Sequence, residues 1–399
     1  MRRPNPHHEA DPSHPPMASQ PAPHLVWLSA VPWNFPLVGR TRMITEEWLE
    51  LGLSTTFVQP AWDRRATQRT LARLIRRDAK HTLQPWPTLP AAVWPPSIDR
   101  WSSRTLRWKA NALRHQLTRH VNFEHAVALI VSPAWVPWLD ALPFRSVIYD
   151  CIDDLEVMTP HSSLGPLFQA WESELIERSD AVVTTAPELA ATIRSRCPKT
   201  PIETIRNGVR SAEFIQRARN TSRPADLPRS GPIVGFVGAL YDWIDWQLIE
   251  RMAERMPECN FVFVGPRAAK PPTGPTKRLA NLHLLGPRAY AEVPSYIENF
   301  DVCWVPFVDS RVSRRAHPVK VYEYLALGKP VLSTPISDPA HFAEWIQIAT
   351  TDQEMEDGLR AALRQPKRDA DTRRDFAALH SWRQRALTYR DFATAIAER

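Results

Sequence analysis

The sequence predicts an α/β protein with two domains, each built on a doubly wound parallel sheet. The chain has 399 residues, which is the length of two domains of ordinary size. Hydrophobic residues make up 43% of it, which is enough for two separate cores. Short apolar runs typical of buried strands alternate with helical patterns in both halves, and this order favours parallel sheets with crossover helices.

The first half begins with a strand–helix–strand unit. The pattern predicts an apolar strand at residues 24–31, a helix from about Thr41 and a second strand at residues 53–60. In a parallel sheet this order places the loop with Gly39 and Arg40 at the carboxyl edge, where open α/β sheets usually bind substrates. Gly39 also fits an ordinary turn glycine.

Two acidic residues follow a later strand of the first half directly. The strand covers about residues 146–152, and Asp153 and Asp154 come immediately after it. Because an open α/β sheet presents its chemistry at this edge, either carboxylate is a candidate general base. An aspartate in this place also fits the N-cap of the next helix.

The second half is organised around residues 317–334, which predict a short helix, a glycine stop and a buried strand. Apolar side chains recur there at helical spacing, so one face of the helix can pack on a sheet. Pro318 suits the first helical turn, and Gly328 is placed to end the helix in the left-handed conformation. Lys320 and Glu323 do not belong to this apolar pattern.

Lys320 and Glu323 indicate a ligand with both phosphate and hydroxyl groups. A helix start offers free N–H groups, and a cation beside them favours phosphate binding. Glu323 lies three residues further on, close to the same face, and a carboxylate there can accept two hydroxyl hydrogen bonds from a ribose. The alternative is a surface ion pair between the two side chains.

Several motifs resemble those of GT-B glycosyltransferases, particularly of family 4. The similar segments are VIYDCIDD, GFVGALYDWIDWQLI, FVFVGP, NLHLLGPRAYAEVPSYIENFDVCWVPF and PVKVYEYLALGKPVLST. The resemblance covers most of the chain from about residue 24. It implies a GT-B architecture, in which two Rossmann-like domains face a central cleft and a C-terminal helix crosses back to the first domain.

The pattern and the resemblance together predict five segments. These are a disordered tail (1–22), an N-terminal acceptor domain (23–210) with a basic, tryptophan-rich helical insertion (about 62–120), a linker (211–230), a C-terminal nucleotide-sugar donor domain (231–370) and a final helix (371–399).

The resemblance also implies roles for individual residues. The family's glutamate that matches Glu323 holds the donor ribose, and its basic residues hold the diphosphate. The candidate donor-binding residues are Gly238, His317, Lys320, Tyr322 and Glu323. The chain departs from the family pattern in two places. Arg315 stands where the family's first glutamate is usual, and Tyr241, Asp242 and Trp243 stand where a basic residue commonly follows the glycine loop.

The implied function is transfer of a sugar from a nucleotide-diphosphate sugar to the hydroxyl of a sugar or lipid-linked acceptor, in cell-surface polysaccharide or glycolipid synthesis. We expect no cofactor and no metal, because Lys320 and a helix start can neutralise the diphosphate and no DxD motif lies beside a donor-binding strand. The alternatives are a nucleotide-sugar 2-epimerase of the same fold and a non-catalytic GT-B-shaped binding protein, which Arg315 suggests.

Charge restricts the classes of partner. A net charge of +7 and a pI near 9.4 favour anionic partners. Basic residues and tryptophans concentrate between residues 62 and 120, which indicates either contact with an anionic membrane surface or solvated helix faces around a core. No nucleic-acid recognition motif is present, so nucleic acid is not an expected partner.

The remaining signals concern location. The N-terminal segment has no apolar region of the kind a secretory signal needs, and no apolar run reaches the roughly 18 residues of a membrane span. Four widely spaced cysteines form no metal-ligand motif and are expected to be reduced thiols. The sequence therefore predicts a cytoplasmic protein, either free or peripheral on the inner membrane face.

Overall fold

The computed structural model describes residues 22–31, 33, 39–59, 85–87, 103–154, 165–267, 278–364 and 368–399. Two sequence predictions fall largely outside these ranges. They are the disordered tail at residues 1–22 and the first part of the basic, tryptophan-rich insertion at about residues 62–120. Of the insertion, the structure describes a three-residue strand and the helix that begins at Ser103.

Seven parallel strands form the sheet of the N-terminal domain. They are β1 (His24–Leu28), β2 (Thr55–Gln59), β3 (Pro85–Pro87), β4 (Ala126–Ile130), β5 (Ser146–Cys151), β6 (Ala181–Thr184) and β7 (Ile202–Thr204). Their order is β3-β2-β1-β4-β5-β6-β7. The central strands are nearly continuous apolar runs, because helices cover both faces of a parallel sheet.

The helices described in this domain are α1 (Arg40–Glu50), α2 (Ser103–Leu117), α3 (Gly165–Arg178) and α4 (Pro187–Arg196). The sheet separates two apolar clusters. One contains Leu113 of α2 and Leu175 of α3, and the other contains Trp27 and Trp48, whose rings stack with their centroids 5.7 Å apart.

Six parallel strands form the sheet of the C-terminal domain. They are β8 (Ile233–Val237), β9 (Asn260–Val264), β10 (Leu282–Gly286), β11 (Val302–Val305), β12 (Val331–Ser333) and β13 (Gln347–Ile348). Their order is β10-β9-β8-β11-β12-β13. The helices described around it are α5 (Ser211–Arg219), α6 (Trp246–Arg255), α7 (Val293–Glu298), α8 (Val319–Ala326), α9 (Pro339–Phe342), α10 (Asp352–Arg364) and α11 (Ala370–Leu379).

The stretch predicted as a linker, residues 211–230, contains a helix in the structure. Its first part is α5, and Phe214 of α5 is buried in the apolar cluster of the C-terminal domain. An amphipathic pattern in Ser211–Arg219 is short and arginine-rich, so composition alone indicated a linker. Further on, Asp245 caps α6 by accepting a hydrogen bond from the Leu248 N–H at 2.8 Å.

The C-terminal segment returns to the N-terminal domain, as the GT-B architecture requires. Helix α12 (Trp382–Ala397) packs against α1, and the Trp48 indole donates to the Ala386 carbonyl oxygen at 2.8 Å. The predicted single helix at residues 371–399 is two helices in the structure. Helix α11 ends with His380 as its C-cap, and Ser381 then caps the start of α12.

Candidate active site

A cavity of about 440 Å³ lies between the carboxyl edges of the two sheets. The N-terminal domain contributes Arg40, Ile152, Asp153 and Asn207 to its wall. The C-terminal domain contributes all of the remaining residues, among them Gly238, Gly265, Tyr290, His317, Lys320 and Glu323. Both domains therefore supply polar side chains to one cleft, which is the usual place for a ligand in this class of fold.

Two glycines at the ends of β8 and β9 line one part of this cavity. Gly238 and Gly265 both have a φ of +154°, and a Cβ added to Gly265 would lie 1.8 Å from the Gly238 carbonyl oxygen. A Cβ on Gly238 would in turn lie 2.8 Å from Cε of Lys320. Glycine is required where the two backbones approach this closely, and the absence of a Cβ on Gly238 leaves room for the Lys320 side chain.

Lys320 lies in the first turn of α8, partly buried between aromatic rings. Its Nζ is 5.1 Å from the ring centroids of both Phe236 and Phe307. Burial lowers the pKa of Lys320 to about 8, although the charge of Glu323 opposes that shift. The side chain is therefore a poorly solvated cation near neutral pH, which strengthens its attraction for an anionic ligand.

Glu323 is buried one turn further along the same helix. One of its oxygens accepts a hydrogen bond from the Tyr290 hydroxyl at 2.9 Å. Burial raises the pKa of Glu323, while the hydrogen bond from Tyr290 and the charge of Lys320 lower it. The surface ion pair that the spacing allowed does not describe these side chains, because Glu323 is only 8% exposed and both line the cavity.

His317 and Tyr322 lie in different surroundings. His317 lines the cavity, its carbonyl oxygen accepts from Asn207 Nδ2 at 2.6 Å, and burial holds its pKa well below the usual value. Tyr322 is fully buried, stacks on Phe376 and lies 2.9 Å from His341 Nε2. Tyr322 is not among the residues that line the cavity, so four of the five donor-site candidates are brought together and Tyr322 is not.

The adjacent residues Asp153 and Asp154 have different partners. Asp153 lines the cavity, and burial followed by the charge of Asp154 raises its pKa to about 6. Asp154 forms ion pairs with Arg315 and, at 3.5 Å, with Arg311, both from the C-terminal domain. The alternative that one of them caps the next helix lies outside the described residues, since residues 155–164 are not described.

Sequence analysis missed two contributors to the site. Tyr290 follows β10 and orients Glu323, and Asn207 ties the N-terminal domain to the backbone of His317. Asn207 precedes Gly208, and an Asn-Gly pair is also typical of a tight turn, so its sequence does not indicate a role in the site. The sequence singles out Arg315 but not its partner, because the pairing with Asp154 joins residues 161 positions apart.

The described residues show neither a cluster of metal ligands nor a membrane-spanning helix. They contain no group of three or more His, Cys, Asp or Glu side chains arranged to hold a metal ion. Over the same part of the chain, no helix combines the length and the apolar character that crossing a membrane requires.

The two facing parallel sheets and the returning C-terminal helix form a GT-B fold. Comparison with protein families agrees, because residues 231–366 match the family described as glycosyl transferases group 1. The matched segment is the C-terminal domain with Gly238, Lys320 and Glu323. The resemblance to group 1 glycosyltransferases and the GT-B fold prediction are thus both confirmed.

One curated relative is similar to part of the chain. The chain is 28% identical over 249 residues to TuaH of Bacillus subtilis, a protein assigned to teichuronic acid biosynthesis as a glycosyltransferase. That match covers 59% of this chain and 62% of the relative, so the chain spans less than two thirds of the length of TuaH.

Two solved structures show the same fold at low sequence identity. Sucrose-phosphate synthase from Thermosynechococcus elongatus superposes with a TM-score of 0.70 at 15% identity, covering 93% of this chain and 99% of that one. Anabaena Alr3699/HepE, in complex with UDP and glucose, superposes with a TM-score of 0.65 at 12% identity and the same two coverages. Such likeness establishes the fold.

Proposed function

We propose that the protein transfers a sugar from a nucleotide-diphosphate sugar to an acceptor hydroxyl in the synthesis of a cell-surface polysaccharide or glycolipid. The observation that carries this proposal is that Gly238, which follows β8, lines the same cavity as Lys320 and Glu323 of helix α8. Two relatives support it: HepE has UDP and glucose bound, and TuaH is assigned to teichuronic acid biosynthesis.

The donor nucleotide occupies the C-terminal side of the cavity in this proposal. Glu323, held by the Tyr290 hydroxyl, accepts hydrogen bonds from the ribose, each worth roughly 1.5–3 kcal/mol. Lys320 and the first turn of α8 bind the diphosphate, which approaches the backbone at Gly238. His317 is a neutral imidazole beside them and serves as a hydrogen-bond partner for the sugar.

The acceptor enters from the N-terminal side, where Asp153 lies. Transfer requires that negative charge on the leaving diphosphate be stabilised, and preorganised cations and N–H groups supply this stabilisation without a metal ion in our proposal. In an inverting reaction Asp153 takes the proton of the acceptor hydroxyl. Asp154 is committed to two arginines, so we assign the role of base to Asp153 alone.

The position of the protein in the cell is part of the proposal. A lipid-linked acceptor would require the enzyme to act at the cytoplasmic membrane face. Trp108 of α2 is 66% exposed, and Arg114 and His115 occupy the last turn of the same helix. This combination of an exposed aromatic ring and basic charge favours peripheral contact with an anionic membrane.

A screen of nucleotide sugars tests the function directly. The protein is incubated with UDP-, GDP-, ADP- and dTDP-sugars and with candidate glycan or lipid-linked acceptors, in excess EDTA, and released nucleoside diphosphate and glycosylated product are measured. We expect one donor to give product that depends on the acceptor and persists in EDTA. Release of a free epimer without acceptor would indicate the epimerase instead, and donor binding without turnover would indicate a binding protein.

A control in the same screen concerns the metal. Activity that disappears with EDTA and returns with magnesium or manganese would contradict the metal-independent mechanism while leaving the transferase assignment in place.

A further inference from the structure

Arg40 contributes a buried cation to the cavity from the N-terminal domain. It is the first residue of α1, directly after the loop that follows β1, and its side chain lines the cavity with Lys320 and Glu323. Arg40 is only 5% exposed. A guanidinium remains charged at such a site, so its N–H groups need partners.

The described contacts provide partners for two of its three nitrogens. Nε donates to Asp150 at 3.0 Å, and Nη1 donates to the Arg206 carbonyl oxygen at 3.2 Å and to Asn207 Oδ1 at 3.4 Å. Nη2 is buried and has no hydrogen-bond partner among the described residues. A purely structural role explains Nε and Nη1, but it does not explain why the buried Nη2 of a cavity-lining arginine is left without a partner.

The ion pair with Asp150 fixes the guanidinium in one orientation. Asp150 is fully buried in β5, and burial raises its pKa while the charge of Arg40 lowers it. The ring of Tyr389 lies 5.7 Å from the guanidinium carbon on another side. Because these contacts hold Nε and Nη1, the Nη2 group is preorganised before any ligand arrives.

Binding of a nucleoside diphosphate in this cavity would be favoured by a second cation beside Lys320. A nucleoside diphosphate carries at least two negative charges, and Lys320 is a single point charge that burial makes easier to deprotonate. Arg288 also lines the cavity, but its guanidinium is engaged by Asp226 and the Tyr296 hydroxyl. Among the described lining residues, Arg40 therefore offers an uncommitted N–H group of the kind that suits phosphate oxygens.

We propose that Nη2 of Arg40 binds an oxygen of the terminal phosphate in the donor's diphosphate and stabilises that phosphate as the leaving group. This inference rests on the proposed function and adds a contact from the N-terminal domain to it. The diphosphate is then held from both sides of the cleft, by Lys320 and by Arg40. A nucleoside monophosphate lacks the phosphate that Arg40 contacts.

Two variants separate this role from a structural one. Arg40→Lys keeps a positive charge beside Asp150 but removes the forked guanidinium. The double variant Arg40→Met with Asp150→Leu removes the buried pair as a unit, so that no lone charge remains inside the protein. Arg42→Lys is the matched control, because Arg42 lies on the same helix and pairs with Glu46 at 2.8 Å.

Calorimetric titration with UDP, GDP and ADP and with the matching monophosphates provides the measurement, and thermal unfolding of each variant is recorded alongside. For the diphosphate that binds the parent protein, we expect both Arg40 variants to bind about 10- to 100-fold more weakly, as loss of a charge-assisted hydrogen bond implies. The affinity for its monophosphate should change little, and Arg42→Lys should bind as the parent does.

Other results would overturn the inference. If both Arg40 variants bind the diphosphate as the parent does, Arg40 does not contact it, while the proposed donor site stands. If they lose diphosphate and monophosphate affinity equally, Arg40 acts only through the structure of the domain. If the parent protein itself binds none of the nucleotides, the proposed function is wrong and the role of Arg40 falls with it.

Discussion

Environment gives Asp153 and Asp154 different chemistry although they are neighbours in the chain. Asp153 borders the cavity, and its buried carboxyl has a pKa raised to about 6, whereas Asp154 is held between two arginines. A general base works best when its pKa lies near the operating pH. Asp153 therefore has both the position at the cavity and the pKa that a general base needs.

The first prediction concerns Asp153. Asp153→Asn should lower turnover by roughly 10²–10⁴-fold, the usual contribution of a general base, with little change in donor affinity. Turnover of the parent should fall as the pH drops through about 6, because protonated Asp153 cannot accept a proton. Steady-state kinetics between pH 5 and pH 9 measure both effects.

Asp140→Asn provides the control, since the Asp140 side chain is 84% exposed and lies outside the cavity. Turnover of Asp153→Asn close to that of the control would place the base elsewhere or indicate a retaining reaction that needs none.

Most residues of the candidate site carry a local signal, and the others depend on distant parts of the chain. Lys320 and Glu323 break an apolar helical pattern, and Gly238 ends an apolar strand, so each is recognisable within a few residues. Tyr290 is 33 residues from Glu323 in the sequence, and Arg40 is 110 residues from Asp150. Nothing in local pattern or composition indicates which tyrosine or arginine the fold brings to those carboxylates.

Helix α8 shows why helical spacing identified the residues of one face and not their individual roles. Of the apolar residues at helical spacing, Tyr322, Leu325 and Ala326 are buried, because the helix packs between its own sheet and α11, whereas Val319 lines the cavity. When a helix is covered on two sides, the spacing of its apolar residues does not distinguish the residues that pack from those that can contact a ligand. Tyr322 therefore lies against Phe376 of α11, although it is adjacent in sequence to Glu323.

The boundary between α11 and α12 is a second case at this scale. Residues 371–397 have a continuous helical pattern, and a single helix was predicted from it. Ser381 is the local signal for the break, because its hydroxyl accepts from the Gln384 N–H at 3.1 Å and so begins a new helix. The turn lets α11 pack on the C-terminal domain and α12 on the N-terminal one.

Helix α2 carries the second prediction. If the protein binds membranes through this helix, Trp108→Ser should weaken sedimentation with anionic phosphatidylglycerol vesicles by roughly tenfold, since an aromatic side chain no longer enters the interface. Vesicle co-sedimentation at physiological salt measures the effect. Leu379→Ser is the control, because Leu379 is 74% exposed on the C-terminal domain. Equal vesicle binding by the parent and Trp108→Ser would exclude this helix as the contact.

At the scale of the whole molecule, a set of polar contacts joins the two domains across the cleft. Asp154 pairs with Arg315 and Arg311, and Asn207 donates to the His317 carbonyl oxygen. In addition, apolar side chains of helix α12 pack in the core of the N-terminal domain. The resemblance placed Arg315 where a glutamate is usual. In this protein Asp154 of the N-terminal domain faces Arg315, so the two side chains in contact carry opposite charges.

The third prediction follows from that complementarity. Asp154→Arg should place three positive charges together and open the cleft, which small-angle scattering detects as a larger radius of gyration. The double variant Asp154→Arg with Arg315→Asp should restore the dimensions of the parent. Identical scattering from the parent and both variants would show that this ion pair does not hold the domains together.

The two-domain architecture was predictable because each sheet is built from local strand–helix–strand units. The contacts across the cleft were not predictable, because they join residues from opposite halves of the chain.

Glu323 is the residue that binds the donor nucleotide in the proposed function. Glu323→Gln keeps the volume and the oxygen that accepts from Tyr290, but it removes the charge that strengthens hydrogen bonds from a ribose. Glu298→Gln is the control, with a parent side chain that is 47% exposed and outside the cavity.

The decisive measurement is calorimetric titration of the parent, Glu323→Gln and Glu298→Gln with the nucleoside diphosphate that binds the parent most tightly. We predict that Glu323→Gln binds about 10- to 100-fold more weakly, the equivalent of one charge-assisted hydrogen bond, while Glu298→Gln binds as the parent does. Affinity of a folded Glu323→Gln equal to that of the parent would contradict the donor site proposed for this cavity.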